Sequence, residues 1–374
     1  MNINITIFNP LLEYGGLEIA TTKLGKELQD RTFNVDVVAF PNSRVEKLAE
    51  TLDLKVKHIK MKQPYFNFHA AYNLSKIFNQ SGTDISIVGK SSLLSTAILA
   101  KMLSRKKPII VFHQQMQSGL NKKDLVHNWI FKNLDGAVVL NNRMKEDILK
   151  TTIIHSTKVR VIPYGIDIQK FKPIPEKKIE LRKNFNLPTE DFLIGCIGRI
   201  DRQKGQDVLL NAFMELENKE NIKLVFAGDS NDEEYFRELN NTITENKIED
   251  KVIFLPFTDK VPELMNCFDI FVAPSHCETF GLVIIEGMAC SLAVIGTDCG
   301  GVPEIIDSGK NGYIFEPKNS NDLSDLINML YQNRDLLDKI GKKARYTVEQ
   351  KFDRDIEINN IIKYYLELLS NKKT

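Results

Sequence analysis

The chain switches between two hydrophobic periods, and it does so along its whole length. Short apolar runs of strand type are followed by stretches with helical spacing. Ile3–Phe8 reads as a strand and Leu17–Asp30 as a helix, and Val35–Phe40 with Val45–Thr51 repeats the pair. Asp84–Val88, Ile109–His113, Ala137–Leu140 and Val159–Ile162 are further strands, with a helix candidate at Leu93–Leu103. Pro163-Tyr164-Gly165-Ile166-Asp167 reads as a turn. After it, Lys172-Pro173-Ile174-Pro175-Glu176-Lys177-Lys178 is polar and proline-bearing, as linkers are. The alternation restarts at Phe192–Gly198. It continues with helix Asp207–Leu216, strands Lys223–Ala227 and Val252–Leu255, helix Val261–Met265, strand Ile270–Ala273, helix Leu282–Ala289, strand Ala293–Gly296 and a final helical region. Such a pattern argues for parallel strands joined by helices that cover both faces of the sheet. The predicted fold class is α/β, with two doubly wound parallel-sheet domains, residues 1–168 and 169–354. The amphipathic helix Ile356–Leu369, within residues 355–374, is expected to pack back on the first. Ligands of open parallel sheets bind beyond the carboxyl ends of the strands, so the expected site is a cleft between two such sheets.

Composition narrows the class. The chain has 374 residues, 43% hydrophobic and 26% charged, which suits a soluble globular protein of two ordinary domains. No apolar run approaches the roughly 18 residues of a membrane span. The first residues alternate like a strand and lack a basic leader, so a cytoplasmic location is expected. Cys196, Cys267, Cys277, Cys290 and Cys299 form no CxxC pair and read as reduced, mostly packed thiols, Cys277 included. Charge is uneven. Residues 1–168 hold 23 Lys/Arg against 14 Asp/Glu (23 − 14 = +9), and residues 169–374 hold 27 against 35 (27 − 35 = −8). A basic first half suits an anionic acceptor or peripheral contact with the inner membrane. Lys101, Arg105, Lys106 and Lys107 at the end of the Leu93–Leu103 helix serve that reading and simple compensation of the helix dipole equally well.

Several constellations carry chemistry. Glu278-Thr279-Phe280-Gly281-Leu282-Val283-Ile284-Ile285-Glu286 sets two acids eight positions apart around the start of an apolar run. Were all eight steps helical, the acids would lie roughly 12 Å apart along the axis, which suits an elongated ligand held at two points. Gly15-Gly16 lies between the first strand and its helix, where backbone N–H groups can approach an anion. Gly198-Arg199-Ile200-Asp201-Arg202-Gln203-Lys204-Gly205 offers a forked and a compact cation that could clamp a diphosphate. His113 ends a central strand, with a satisfied structural histidine as the equal alternative. Gly300-Gly301-Val302-Pro303-Glu304 is another glycine loop. GxGxxG, Walker A, zinc-ligand spacing and GxSxG are absent from the sequence. Asp353-Arg354-Asp355 reads as a helix start, with no metal expected.

In this order, Gly15-Gly16-Leu17-Glu18, His113, Ile162–Asp167, Gly198-Arg199 with Lys204-Gly205, Ala273-Pro274-Ser275, Glu278–Glu286 and Gly300–Glu304 resemble the retaining glycosyltransferases of family 4, of GT-B fold. The resemblance spans nearly the whole chain. The family more often has Asn where Tyr164 stands; the turn glycine is kept. The resemblance implies a nucleotide-sugar donor, held mainly by the second domain, and a saccharide or glycolipid acceptor held by the first. It implies that Glu286 accepts from the ribose hydroxyls, that Glu278 with Phe280, Gly281 and Leu282 faces the donor sugar, and that Arg199 and Lys204 neutralise the diphosphate without metal or other cofactor. Gly15 and Gly16 would close over the phosphates, Phe257 would lie by the base, and His113 would contact the sugar. No nucleic-acid partner is expected. A UDP-sugar and a cell-surface polysaccharide, lipopolysaccharide or glycolipid precursor are the favoured substrates. A nucleotide-sugar epimerase or hydrolase of the same fold, or a non-catalytic sugar-nucleotide-binding protein, is the alternative reading.

Overall fold

Each apolar run in the first half becomes a parallel strand because it must be buried on both faces. In the computed structural model, which describes residues 3–373 apart from 62, 64 and 118, the first unit holds seven strands. They are β1 Asn4–Asn9, β2 Asn34–Ala39, β3 Lys55–His58, β4 Ile85–Val88, β5 Ile109–Gln114, β6 Gly136–Val139 and β7 Val159–Val161. Their order is β3-β2-β1-β4-β5-β6-β7, and every pair is parallel. The second unit repeats the plan with β8 Phe192–Ile197, β9 Ile222–Ala227, β10 Val252–Leu255, β11 Ile270–Ala273, β12 Ala293–Thr297 and β13 Tyr313–Phe315. Its order is β10-β9-β8-β11-β12-β13, again all parallel. Both are Rossmann-like α/β units. In each, the order reverses beside the first strand, at β1/β4 and at β8/β11, and these switch points are where a crevice opens at the carboxyl ends.

Two edge strands escaped the sequence reading. Lys55-Val56-Lys57-His58 is polar and largely uncovered, and Tyr313–Phe315 is only three residues long. Neither needs the buried apolar run that marks a central strand. The spacing of Glu278 and Glu286 is also only half helical. The helix runs Leu282–Ala289, and Gly281 before it adopts a left-handed φ of 101°.

The chain passes from the first unit to the second after Pro163 and back after Ile356, not after residues 168 and 354. The reason is local pairing. Ile166 N–H donates to Phe352 O at 2.9 Å, and Arg354 N–H donates to Ile166 O at 2.9 Å, so residues past Pro163 are knitted into the second unit. The last helix, Arg354–Lys373, supplies Ile358, Ile361, Tyr364 and Tyr365 to the first unit's core, where they pack with Ile5, Ile7, Ile109 and Val111. The second unit has its own core, built on Phe192, Leu209, Phe213, Phe226 and Ile295. Among the described residues no helix is long and apolar enough to cross a membrane.

Candidate active site

The second unit's switch point gathers the chemistry. β8 and β11 are neighbours, so the loops leaving their carboxyl ends meet, although 74 residues separate the charges they carry. Lys204 Nζ lies 2.5 Å from Glu278 Oε1, and Ser275 Oγ donates to the same oxygen at 2.8 Å. Two glycines let the loops close this tightly. Gly205 has φ +66°, and a Cβ there would stand 2.2 Å from Pro274 O. Gly300 has φ +65°, and a Cβ would stand 1.8 Å from Glu278 O, the carbonyl that also accepts from Gly301 N–H at 2.9 Å. Any other residue at either position would push the glutamate loop away.

Arg199 leaves the same β8 loop, but its side chain is 62% exposed and 3.4 Å from Asp201. Glu286 lies one turn into the Leu282–Ala289 helix. Burial pushes its carboxyl up to about 7, against a smaller opposing pull from Lys170. Leu282 stands exposed at the helix start, where first-turn N–H groups lack helical partners. Phe280 does not: its ring is buried edge-on between Tyr164 and Phe352, so only its backbone remains for a ligand. Phe257 is 70% exposed beyond β10. Cys277 is exposed, against the expectation of packing. Cys196, Cys267 and Cys290 are buried, and burial pushes each thiol up to about 12.

The first unit's switch point is arranged the same way. Gly15 caps helix Gly16–Gln29, its N–H donating to Glu18 Oε2 at 2.9 Å. Lys90, just past β4, lies 3.1 Å from Glu18 Oε1 and also pairs with Glu13. A Cβ at Gly16 would meet nothing within 4 Å, so packing does not explain a glycine there.

His113 is buried. It is 5% exposed, with Nε2 2.7 Å from Tyr365 Oη. Burial depresses its pKa to about 4, so the ring is neutral at physiological pH. The cause is strand alternation: Val111 and Ile109 face the last helix, and His113 shares their side of β5. The ring thus lies against Tyr365. Lys101 and Lys106, in the basic cluster, are paired with Asp135 at 2.6 Å and Asp84 at 3.2 Å.

Two family models match in sequence order and without overlap. Residues 14–170 match Glycosyltransferase Family 4, and residues 177–347 match Glycosyl transferases group 1. The chain belongs to the family 4, group 1 glycosyltransferases. It is 24% identical to N-acetyl-alpha-D-glucosaminyl L-malate synthase of Bacillus anthracis over all of this chain and 98% of that protein. It is 30% identical to the N,N'-diacetylbacillosaminyl-diphospho-undecaprenol alpha-1,3-N-acetylgalactosaminyltransferase of Campylobacter jejuni, over 66% of this chain and 61% of that one. The crystal structure of Anabaena HepE in complex with UDP superposes with a TM-score of 0.85 at 21% identity, covering 96% and 99% of the two chains. The fold of this glycosyltransferase is therefore GT-B.

The sequence reading found Lys204, Glu278 and the glycines around them, and the fold brings these together. The pairing of His113 with Tyr365 and the burial of Gln206 have no local pattern that signals them.

Proposed function

We propose that this glycosyltransferase moves a sugar, with retention of anomeric configuration, from a UDP-sugar to a saccharide or glycolipid acceptor. The observation that carries the reading is the meeting of Lys204, Ser275 and Glu278 at the β8/β11 switch point. A carboxylate parked on a lysine marks a cation that an incoming diphosphate can claim, which frees Glu278 to face the donor sugar. Arg199, exposed on the same loop, adds a second cation. Breaking a sugar–phosphate bond builds negative charge on the diphosphate, and fixed cations in a dried site lower that barrier. Two side-chain cations supply this neutralisation, so metal is not required in this scheme. The leaving phosphate takes the acceptor's proton as the acceptor attacks the same face of the sugar. Glu286 holds the ribose, the Gly281–Leu282 amides and the Phe257 segment hold sugar and base, and Gly15–Gly16 meets the phosphates.

UDP is favoured because HepE was crystallised with it. A lipid-linked saccharide acceptor is favoured by the Campylobacter relative's name and by uncovered apolar side chains on the first unit, Phe68 and Leu125 among them. Peripheral contact with the cytoplasmic membrane face belongs to the same proposal. The name of the B. anthracis relative includes L-malate, which keeps a small polar acceptor in the assay panel.

Calorimetric titration with UDP, GDP and ADP, with EDTA present, tests the donor site. Tight binding of UDP alone is expected. Arg199→Ala and Lys204→Ala should cut turnover by about a hundredfold or more with folding retained. Unchanged turnover and donor KM in both variants would remove the diphosphate role. Proton NMR of the new anomeric centre decides retention.

A further inference from the structure

Gln206 is 1% exposed, yet it is polar and opens a helix, Gln206–Met214. Its Nε2 donates to Arg199 O at 2.8 Å. Its Oε1 is buried and has no partner among the described residues. An apolar side chain of the same length would fill this space without stranding a carbonyl, so packing alone does not account for an amide here. The bond to Arg199 does.

That bond closes the loop between β8 and its helix. Other bonds hold neighbouring residues of the loop: Ile200 N–H to Asp229 O at 3.0 Å, Lys204 N–H to Asp201 O at 2.9 Å, and His276 N–H to Gln203 O at 2.9 Å. Among the described residues Arg199's own N–H and C=O make no other hydrogen bond, and the Ile200 N–H of the next peptide position is held by Asp229 O. Its guanidinium is well exposed, so where it points depends on how firmly its backbone is held. We infer that Gln206 is a positioning residue that aims Arg199 at the diphosphate of the donor. It acts through Arg199 and touches no substrate atom. The inference rests on the diphosphate role proposed above for Arg199.

The test compares a nucleoside diphosphate with its monophosphate on the full chain. UDP against UMP is used first, and GDP/GMP or ADP/AMP if one of those diphosphates binds tighter. The ratio of affinities reads the contact to the second phosphate and is insensitive to a general loss of stability. Gln206→Met keeps length and bulk but removes the amide. It should lower the diphosphate preference by about tenfold, with the melting temperature close to that of the parent. In an Arg199→Ala background the same change should have no further effect on the ratio. Should Gln206→Met fail to fold, Gln206→Leu is measured in the same cycle. If Arg199→Ala lowers the ratio while Gln206 variants leave it unchanged, or if the two losses simply multiply, the positioning role is wrong. If Arg199→Ala itself leaves the ratio unchanged, the diphosphate reading fails, a result distinct from either.

Discussion

At the scale of single residues, the site's behaviour is set by how burial prices charge. Glu286 sits near its midpoint at neutral pH because desolvation raises it to about 7. If Glu286 holds the ribose as proposed, its ionised form is the stronger acceptor for the hydroxyls, so nucleotide binding should favour the charged form and release a proton. UDP affinity is expected to rise from pH 6 to pH 8, by up to about tenfold per unit on the acid side. Glu286→Gln should flatten that dependence. Calorimetry in buffers of different ionisation enthalpy measures both the affinity and the proton. His113 gives the opposite kind of prediction, one about stability. Its folded pKa of about 4 lies below the unfolded value near 6.5, so below pH 6.5 the unfolded chain binds the extra proton. The contribution is whole above pH 6.5 and is lost as pH falls towards 4. Urea unfolding should show His113→Gln losing about 2 kcal/mol less than the parent between pH 7 and pH 5. Equal losses would mean the ring is not buried neutral. His113, Cys196 and Glu286 were legible as residues, but none of their pKa directions was, because desolvation depends on neighbours far away in sequence.

At the scale of elements, the last helix is the informative one. The sequence showed an amphipathic segment, expected to pack back on the first domain, but not which of its side chains are buried there. Packed in the first unit, Ile358, Ile361, Tyr364 and Tyr365 are each no more than 3% exposed. Burying a large side chain stabilises by about 1.5–3 kcal/mol, so the four together contribute an amount comparable with the whole stability of an ordinary domain. A chain ending at Asp353 should therefore leave the first unit unfolded while the second keeps its core. Limited proteolysis would show residues 3–163 degraded and a protected fragment beginning near Tyr164. A protected first unit in the truncated chain would contradict this. The edge strands β3 and β13 make the converse point. They were missed because an edge asks less of its side chains than the middle of a sheet does.

For the whole molecule, two cores mean two places where a ligand can act. If the donor is held by the second unit, UDP at a hundred times its Kd adds about 2.7 kcal/mol to that unit alone. Scanning calorimetry should then show the transition assigned to the second unit moving up, and the other holding still. Assignment follows from the truncated chain, in which only the second unit melts. Movement of both transitions by equal amounts would mean that the units unfold as one.

Sequence by itself determined the α/β class, the doubling of the fold, and the residue types at the carboxyl ends of the strands. These are consequences of local period, glycine placement and charge, which a chain carries whatever its surroundings. The tertiary structure decided which of those groups meet. The β8/β11 reversal sets Lys204 against Glu278 across 74 positions, and β1/β4 sets Lys90 against Glu18 in the same manner. It also decided that His113 turns towards Tyr365, and that Gln206 donates to the carbonyl of Arg199. Strand order and the face a side chain takes are settled by the burial of a whole core, and no window of sequence contains that sum.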